Sequence, residues 1–479
     1  MTTLAPDGAL HVASRRIESG PTATVTEPWS GAELGRIVLA DEAIAEEAVR
    51  ASLQAFERLK ARSSYERKAV LAAVAREIEA RREEFAELLA REAGKPIALA
   101  RTEVTRAVTT FELGAEEATR MTGEALPLDI TASSAGYSGS WTRVPAGPVI
   151  AFAPFNFPLN LVAHKLAPAL ACGCPVVLKP PPQTPLTSLL LAECIRKAGA
   201  PADAVQVLPC DIPVAEKLAR DDRFATLSFT GSAKVGWFLK SIAGKKRVLL
   251  ELGGNAAVLV HDDAPLEDAC SRVVAGAFGY AGQVCIKVQR LYVHRAIGDA
   301  FVRHLVDRTR AVEPKSPMDP KGLLSSMIDE GNAKRVEQWV AEAVAAGARV
   351  LCGAKREGNR YWPTVLEIDG AGRGLKVVEE EVFGPVLTVH RYDGWDAALA
   401  MADGTRYGLQ AGVFTDSRAR VAEAFAKLHV GGLIVNDVPT FRVDSMPYGG
   451  VKDSGLGREG VRFAIEEMTE RKLMVVREG

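Results

Sequence analysis

The 479-residue chain is short of several things, and each shortage excludes a class of function. It has no excess of charge. The 59 Lys and Arg balance 60 Asp and Glu, for a formal net charge of −1. The two signs are mixed along the chain, so there is no footprint for nucleic acid or an anionic membrane. It has no membrane-length apolar run either. The longest uncharged stretch, residues 144–164, contains Pro145, Pro148, Pro154, Pro158, Asn156 and Asn160, which fit a strand and turn rather than a lipid-facing helix. The first residues, Met1 to Asp7, lack the basic and apolar segments of a signal peptide. Seven cysteines, an odd number, are scattered without pattern. They predict a reducing, cytoplasmic compartment and no disulfide framework. Cys172-Gly173-Cys174 has no second Cys/His pair at zinc spacing and sits in an apolar run, so buried thiols and no metal site are expected there. Internal repeats and low-complexity segments are also missing.

What is present is an ordinary globular composition, 47% hydrophobic and 25% charged, in a chain long enough for two or three domains. Residues 1–40 read as an extended lead-in with a small hairpin. From Asp41 the pattern turns helical, with Val49, Leu53, Phe56 and Leu59 on one apolar face. Ser63 and Glu66 form a capping box for a second helix, whose apolar positions Val70, Val74, Ile78, Phe85 and Leu88 run through to the stop signal Gly94-Lys95-Pro96. A third helix is predicted over about Ala98–Thr122. Arg106 lies between its apolar positions Val104 and Phe111, and periodicity alone makes it a solvated charge.

Beyond Val144 short apolar strands alternate with helices. The strands are Val149–Phe152, Val176–Leu178, Val205–Leu208, Thr226–Phe229 and Arg247–Leu250. This predicts an α/β architecture with a doubly wound, mostly parallel sheet. Ligands of such sheets gather at the carboxyl ends of the strands. Here those ends carry Pro154-Phe155-Asn156-Phe157-Pro158, Lys179-Pro180, Thr230-Gly231-Ser232 and Glu251-Leu252-Gly253-Gly254. A second αβ stretch begins at Asn255, and Gly282-Gln283-Val284-Cys285 falls within it. A thiol in a small, uncharged context and a carboxylate followed by paired glycines suit covalent catalysis, in which sulfur attacks a carbonyl and a base later activates water. A small core cysteine is the plain alternative.

Taken with Glu381-Val382-Phe383-Gly384-Pro385 and Pro447-Tyr448-Gly449-Gly450, these phrases resemble the aldehyde dehydrogenase superfamily, in its order and spacing and over nearly the whole chain. The resemblance implies a Rossmann-type cofactor domain, a second α/β catalytic domain and a β oligomerisation arm. It implies Cys285 as nucleophile, the Asn156 amide as oxyanion donor, Glu251 as the base that activates water, and Lys165 as a proton relay from that glutamate. It implies NAD or NADP as cofactor, bound by Lys179, Gly231, Ser232, Leu252, Glu381 and Phe383. Many NAD-preferring relatives carry a Glu three residues after the lysine. Pro182 stands there, so the repulsive carboxylate is gone and the sequence does not separate NAD from NADP.

Within the family the chain resembles the branch of lactaldehyde, non-phosphorylating glyceraldehyde-3-phosphate and phosphonate-aldehyde dehydrogenases. Arg106 and Arg442 match positions that bind the anion of phosphorylated or phosphonate aldehydes, which reverses the surface reading of Arg106. Val284 and Phe157 line the same pocket, and both depart from those relatives, which often have Arg and Tyr or His there. A small anionic aldehyde is therefore expected, with a short hydroxyaldehyde such as lactaldehyde as the alternative and a CoA-acylating semialdehyde dehydrogenase behind it. Glu251 argues against the last, and no His stands in a thiol-hydrolase context. The expected division is 1–124 with 146–253 for the cofactor, 254–453 for catalysis, and 125–145 with 454–479 as the arm. A homodimer or homotetramer follows from the resemblance, with no nucleic-acid or membrane partner.

Overall fold

The computed structural model describes residues 7–477, so the reading of the extreme N-terminus, residues 1–6, lies outside it. Residues 7–40 carry two hairpins, Leu10–Val12 with Arg15–Ile17 and Thr22–Thr26 with Glu33–Val38. Four helices follow, Glu42–Lys60, Ser64–Ala80, Arg82–Ala93 and Ile97–Glu117. The capping box forms as expected, with the Ser63 hydroxyl accepting from the Glu66 N–H and the Glu66 carboxylate accepting from the Ser63 N–H.

Two details of these helices differ from the sequence reading. The second helix does not run unbroken to Gly94. It stops at Arg81, whose φ of −109° and ψ of 23° leave the helical region, and a new helix restarts so that Phe85 and Leu88 reach the core. In the first helix Leu53 is exposed while Ala48, Ala51 and Ala55 are buried. The helix approaches its neighbours on its alanine side, where small side chains allow close packing.

The strand–helix alternation builds a six-stranded sheet ordered 455–456, 247–251, 226–230, 149–152, 176–179 and 205–207. All neighbours are parallel except the short Gly455–Leu456 strand, which pairs antiparallel with Arg247–Glu251. A second sheet runs 349–352, 364–367, 386–392, 288–294, 256–260, 410–414 and 432–435, again parallel but for its first strand. Doubly wound sheets are buried on both faces, which is why their strands read as continuous apolar runs. A third, antiparallel sheet joins Thr469–Arg477 to Tyr137–Pro145, and that strand to Glu124–Pro127. The stretch 454–479 is thus divided. Residues 455–456 complete the first sheet and the helix Val461–Glu467 packs on the helices Ile97–Glu117 and Asn160–Cys172, leaving Thr469–Arg477 for the third sheet.

The carboxyl ends of the first sheet face the amino ends of the second. The Asn156 amide, just beyond the strand Val149–Phe152, donates to the Gln283 carbonyl, just before the strand Val288–His294, at 3.0 Å. Gly254 lies so close to the Cys285 carbonyl that a Cβ there would stand 2.3 Å from its oxygen. Only glycine fits that approach.

Candidate active site

Cys285 lies in the loop after the helix Leu266–Phe278. That helix ends in a short 3₁₀ turn, Gly279–Gly282, in which Tyr280 and Ala281 both have positive φ, 54° and 53°. Left-handed backbone at two successive non-glycine residues is strained, and such strain gathers at functional sites. The turn is held by the Tyr280 hydroxyl, which donates to the Ala93 carbonyl at 3.1 Å. Cys285 emerges half-buried, beside Val284, Ile286, Leu409, Tyr448 and Met446. Its sulfur is 3.1 Å from the Tyr448 hydroxyl. Burial pushes the thiol up to about 12, and the Tyr448 hydrogen bond works in the opposite direction.

Glu251 ends the strand Arg247–Glu251 and is buried, and neither carboxylate oxygen has a hydrogen-bond partner. Burial, and then the negative charge of Glu459, hold its carboxyl well above the ordinary range. Glu459 shares the same interior and behaves oppositely. Burial works against its charge, but Lys165 and Arg442 outweigh it and bring the group down to about 2. Two carboxylates in one dry space are thereby driven apart, one toward its protonated form and one toward its ionised form. Lys165 is buried, which lowers it. It donates to Thr230 at 2.6 Å and Ser228 at 3.2 Å and lies 3.5 Å from Glu459. It makes no hydrogen bond to Glu251, so the direct carboxylate partner of the lysine is Glu459.

Residues 448 and 449 touch both sides. While Tyr448 reaches the sulfur, Gly449 backs Glu251, where a Cβ would come within 2.9 Å of Oε1. Tyr448 and Glu459 also form an isolated antiparallel bridge. Sequence reasoning assigned no role to either residue. Tyr448 was visible as part of a motif, but its reach to Cys285 and the position of Glu459 depend on the closing of the chain's last hundred residues over the first sheet.

The two arginines of the expected anion pocket are each held by a carboxylate, Arg106 by Asp444 and Arg442 by Glu459. Arg106 is not a solvated charge. It forks onto Asp444 at 2.6 and 3.1 Å. Asp444 also faces His164 at 2.8 Å and accepts from Asn160 at 3.1 Å. Burial opposes its charge, but His164 and Arg106 hold its carboxyl far below the ordinary range. Arg442, only 7% exposed, binds Glu459 at 3.1 Å and lies over the Tyr448 ring at 3.7 Å, while its Nε is buried with no partner. Phe157 is half-buried, with the Lys95 ammonium 3.8 Å from its centroid. Lys95 pairs with Glu103, and Glu103 accepts from the Leu159 and Asn160 N–H groups at the start of the helix Asn160–Cys172. Val284 belongs to the apolar patch around the sulfur.

The cofactor candidates lie along the rim of the first sheet. Lys179 ends its strand, and burial lowers it. Ser232 caps the helix Ala233–Ile242, accepting from Val235 at 3.4 Å. Gly231 donates to the Glu251 carbonyl at 3.0 Å. Leu252 is different: its side chain is buried beneath Gly236, and its N–H donates to Ser454. Glu381 accepts from the Gly254 N–H at 3.0 Å and lies against Gly253, where a Cβ would come within 2.2 Å of Oε2. Burial raises it to about 7. Phe383, at φ 43°, packs edge-on against Phe155 at 5.8 Å. A half-buried carboxylate with one donor, beside glycines that leave the cleft open, suits the hydroxyls of a ribose, and a capped helix N-terminus suits a phosphate. These residues fit a dinucleotide.

All seven cysteines are free, and among the described residues no helix is long and apolar enough to cross a membrane. The aldehyde dehydrogenase family profile matches residues 16–474. A 3-sulfolactaldehyde dehydrogenase of Priestia aryabhattai is 46% identical over 415 residues, covering 86% of this chain and 87% of that one. Aldehyde dehydrogenase 21 from Physcomitrella patens, in complex with the reaction product succinate, superposes with a TM-score of 0.95 at 41% identity over 98% of each chain. The glyceraldehyde-3-phosphate dehydrogenase GapN of Methanocaldococcus jannaschii, complexed with NADP, superposes with a TM-score of 0.90 at 35% identity, covering 95% of this chain and 98% of that one.

Proposed function

The chain belongs to the aldehyde dehydrogenase family, and from that footing we propose how its residues divide the work and which aldehyde it takes. It is an NAD(P)-dependent enzyme that oxidises an aldehyde. Cys285 is the nucleophile. Its thiolate adds to the aldehyde carbon to form a thiohemiacetal, whose oxyanion accepts from the Cys285 N–H and the Asn156 amide. Asn156 uses one N–H on Gln283 and its Nδ2 carries a second. Preorganised donors of this kind are worth about 100- to 1000-fold each. A bound nicotinamide would supply the hydride acceptor; loss of hydride from the thiohemiacetal carbon leaves Cys285 as a thioester. Glu251 takes a proton from water as the water attacks that thioester, releasing the acid and the thiol. Burial and the Glu459 charge oppose ionisation of Glu251, while the charges of Arg442 and Lys165 favour it, so these groups set how readily it acts as a base. A base at this position serves hydrolysis, which favours water over CoA as the acceptor.

The substrate is a small anionic aldehyde. The observation that carries this is Arg442, a buried guanidinium with one end on Glu459 and an unpartnered Nε, two residues before the Asp444 that holds Arg106. An unsatisfied buried donor is costly and marks a place for an acceptor. The sulfonate of the Priestia enzyme's named substrate and the second carboxylate of succinate in the Physcomitrella complex support the same class. Val284 and Phe157 add apolar surface beside these charges. Pro182, exposed where many relatives place a repelling glutamate, leaves room for either cofactor.

The test is kcat/KM over sulfonated, carboxylated and neutral aldehydes of equal length, in Arg106→Ala and in wild type. The expected result is a loss of about 10- to 100-fold on anionic aldehydes and less than about threefold on neutral ones, from the strength of charge-assisted hydrogen bonds. Equal loss on all substrates would show Arg106 to be structural, through Asp444.

The cysteines fit a cytoplasmic enzyme, and the third sheet fits an oligomerisation arm joined to the cofactor and catalytic units. Its strand Thr469–Arg477 leaves Leu473, Met474, Val475 and Val476 between 44% and 61% exposed. An apolar outer strand of this length needs cover, which a second copy of the chain supplies in a homodimer or homotetramer.

A further inference from the structure

Tyr448 stands where the two sides of the cleft meet and has no part in the chemistry outlined above. The residue is 3% exposed. Among the described residues its hydroxyl has one hydrogen-bond partner, the Cys285 sulfur at 3.1 Å. On the face of the ring lies the Arg442 guanidinium, 3.7 Å from the centroid, itself fixed to Glu459. Val284, Ile286, Leu409 and Met446 form an apolar cluster with the sulfur.

A buried phenol needs a partner, and this one has only sulfur. A thiol is a weak acceptor, whereas a thiolate is a strong one, so the bond gains most once the sulfur has lost its proton. Burial and the negative charges of Glu381 and Glu251 oppose ionisation of the sulfur; the Tyr448 hydroxyl is the first counterweight and the Arg442 charge the second. A guanidinium on the π face draws electron density from the ring and strengthens the hydroxyl as a donor. We propose that Tyr448 is a positioning residue for the nucleophile: its hydroxyl donates to the Cys285 sulfur, fixes its orientation in the resting enzyme and stabilises it as thiolate, with Arg442 stacked behind the ring as the anchor. This rests on Cys285 being the nucleophile.

The test is the rate of Cys285 alkylation by iodoacetamide as a function of pH, read on the Cys285 peptide by mass, without substrate. In Tyr448→Phe the curve moves to higher pH and alkylation at neutral pH slows about 10- to 100-fold, the worth of a hydrogen bond to a charged group, while the rate at the alkaline plateau is kept. A curve that superimposes on wild type overturns the proposal. A second variant carries 3-fluorotyrosine at position 448, which keeps the shape of the residue and makes the hydroxyl more acidic. It moves the curve to lower pH, and no movement or a movement upward overturns the proposal even if the phenylalanine variant fails to fold. Failure of the nucleophile assignment is separable. Retained turnover in Cys285→Ser would refute that assignment, while the alkylation curves would still report the bond between hydroxyl and sulfur.

Discussion

Around Cys285 lie the apolar side chains Val284, Ile286, Leu409 and Met446, and one phenol is its hydrogen-bond partner. Around Glu251 they are Glu459, Lys165, Arg442 and Arg458, whose charges all act on its carboxyl. Both groups are raised first by burial, yet after burial the sulfur is governed by one hydrogen bond, with Glu381, Arg442 and Glu251 acting behind it, while the carboxylate is governed by charges alone. The consequence is a difference in how changes spread. On the sulfur side a substitution alters one hydrogen bond or one packing contact. On the carboxylate side each group has several charged partners, so a single substitution moves several protonation equilibria together and the effects do not add.

The sharpest way to break this comparison is Glu251→Gln. The sulfur side is left intact, so attack and hydride departure proceed, and deacylation stops. Mixing enzyme, cofactor and aldehyde should release a burst of one reduced nicotinamide per active site, followed by a steady rate lowered by about 100- to 10,000-fold, the usual worth of a general base. A variant that lost the burst as well would show that Glu251 also governs the sulfur, and the two sides could no longer be treated separately.

Next in size is Glu459→Gln. Glu251 is held high first by burial and second by the Glu459 charge, so removing that charge should let Glu251 ionise at lower pH. The ascending limb of the deacylation rate should therefore move to lower pH by about one unit, roughly tenfold in rate on the acidic side. The alkylation curve of Cys285 should move far less, since its largest influences are burial and Tyr448. A limb that moved to higher pH would mean that Glu459 acts mainly by holding Lys165 and Arg442 in place. Below pH 4.5 the wild-type protein also loses stability for the same reason. Glu459 is held down at about 2, so the unfolded chain takes up protons first as the pH falls from 4.5 toward 2.

How far these features were legible in the chain follows the same division. The parallel strands and the rim phrases were readable because period and punctuation are local, and Cys285, Glu251 and Asn156 stood in recognisable phrases. The partners of the charged groups were not. Arg106 looked solvated because helical periodicity says nothing of Asp444, 338 residues further along the chain. Glu459 sits in an ordinary-looking Arg-Glu-Gly stretch, and only the fold carries it to Lys165, 294 residues away. The break at Arg81 was hidden because an apolar face can continue across a kink. Leu53 misled because a small-residue face packs closer than a leucine face and leaves its longer neighbour outside.

The smallest expected effect belongs to the sulfur side and sharpens the comparison by its smallness. Ile286 follows the nucleophile and is 4% exposed. Ile286→Leu conserves volume and adds no charge, so the stability loss by urea unfolding should stay below about 1.5 kcal/mol. If the apolar wall works only by excluding water and charge, the alkylation curve of Cys285 and the pH limb of deacylation should both superimpose on wild type. A curve displaced along the pH axis would show instead that the shape of the wall sets the distance between sulfur and Tyr448. The hydrogen bond and the packing would then be one device, and the sulfur side would be as coupled as the side that carries the charges.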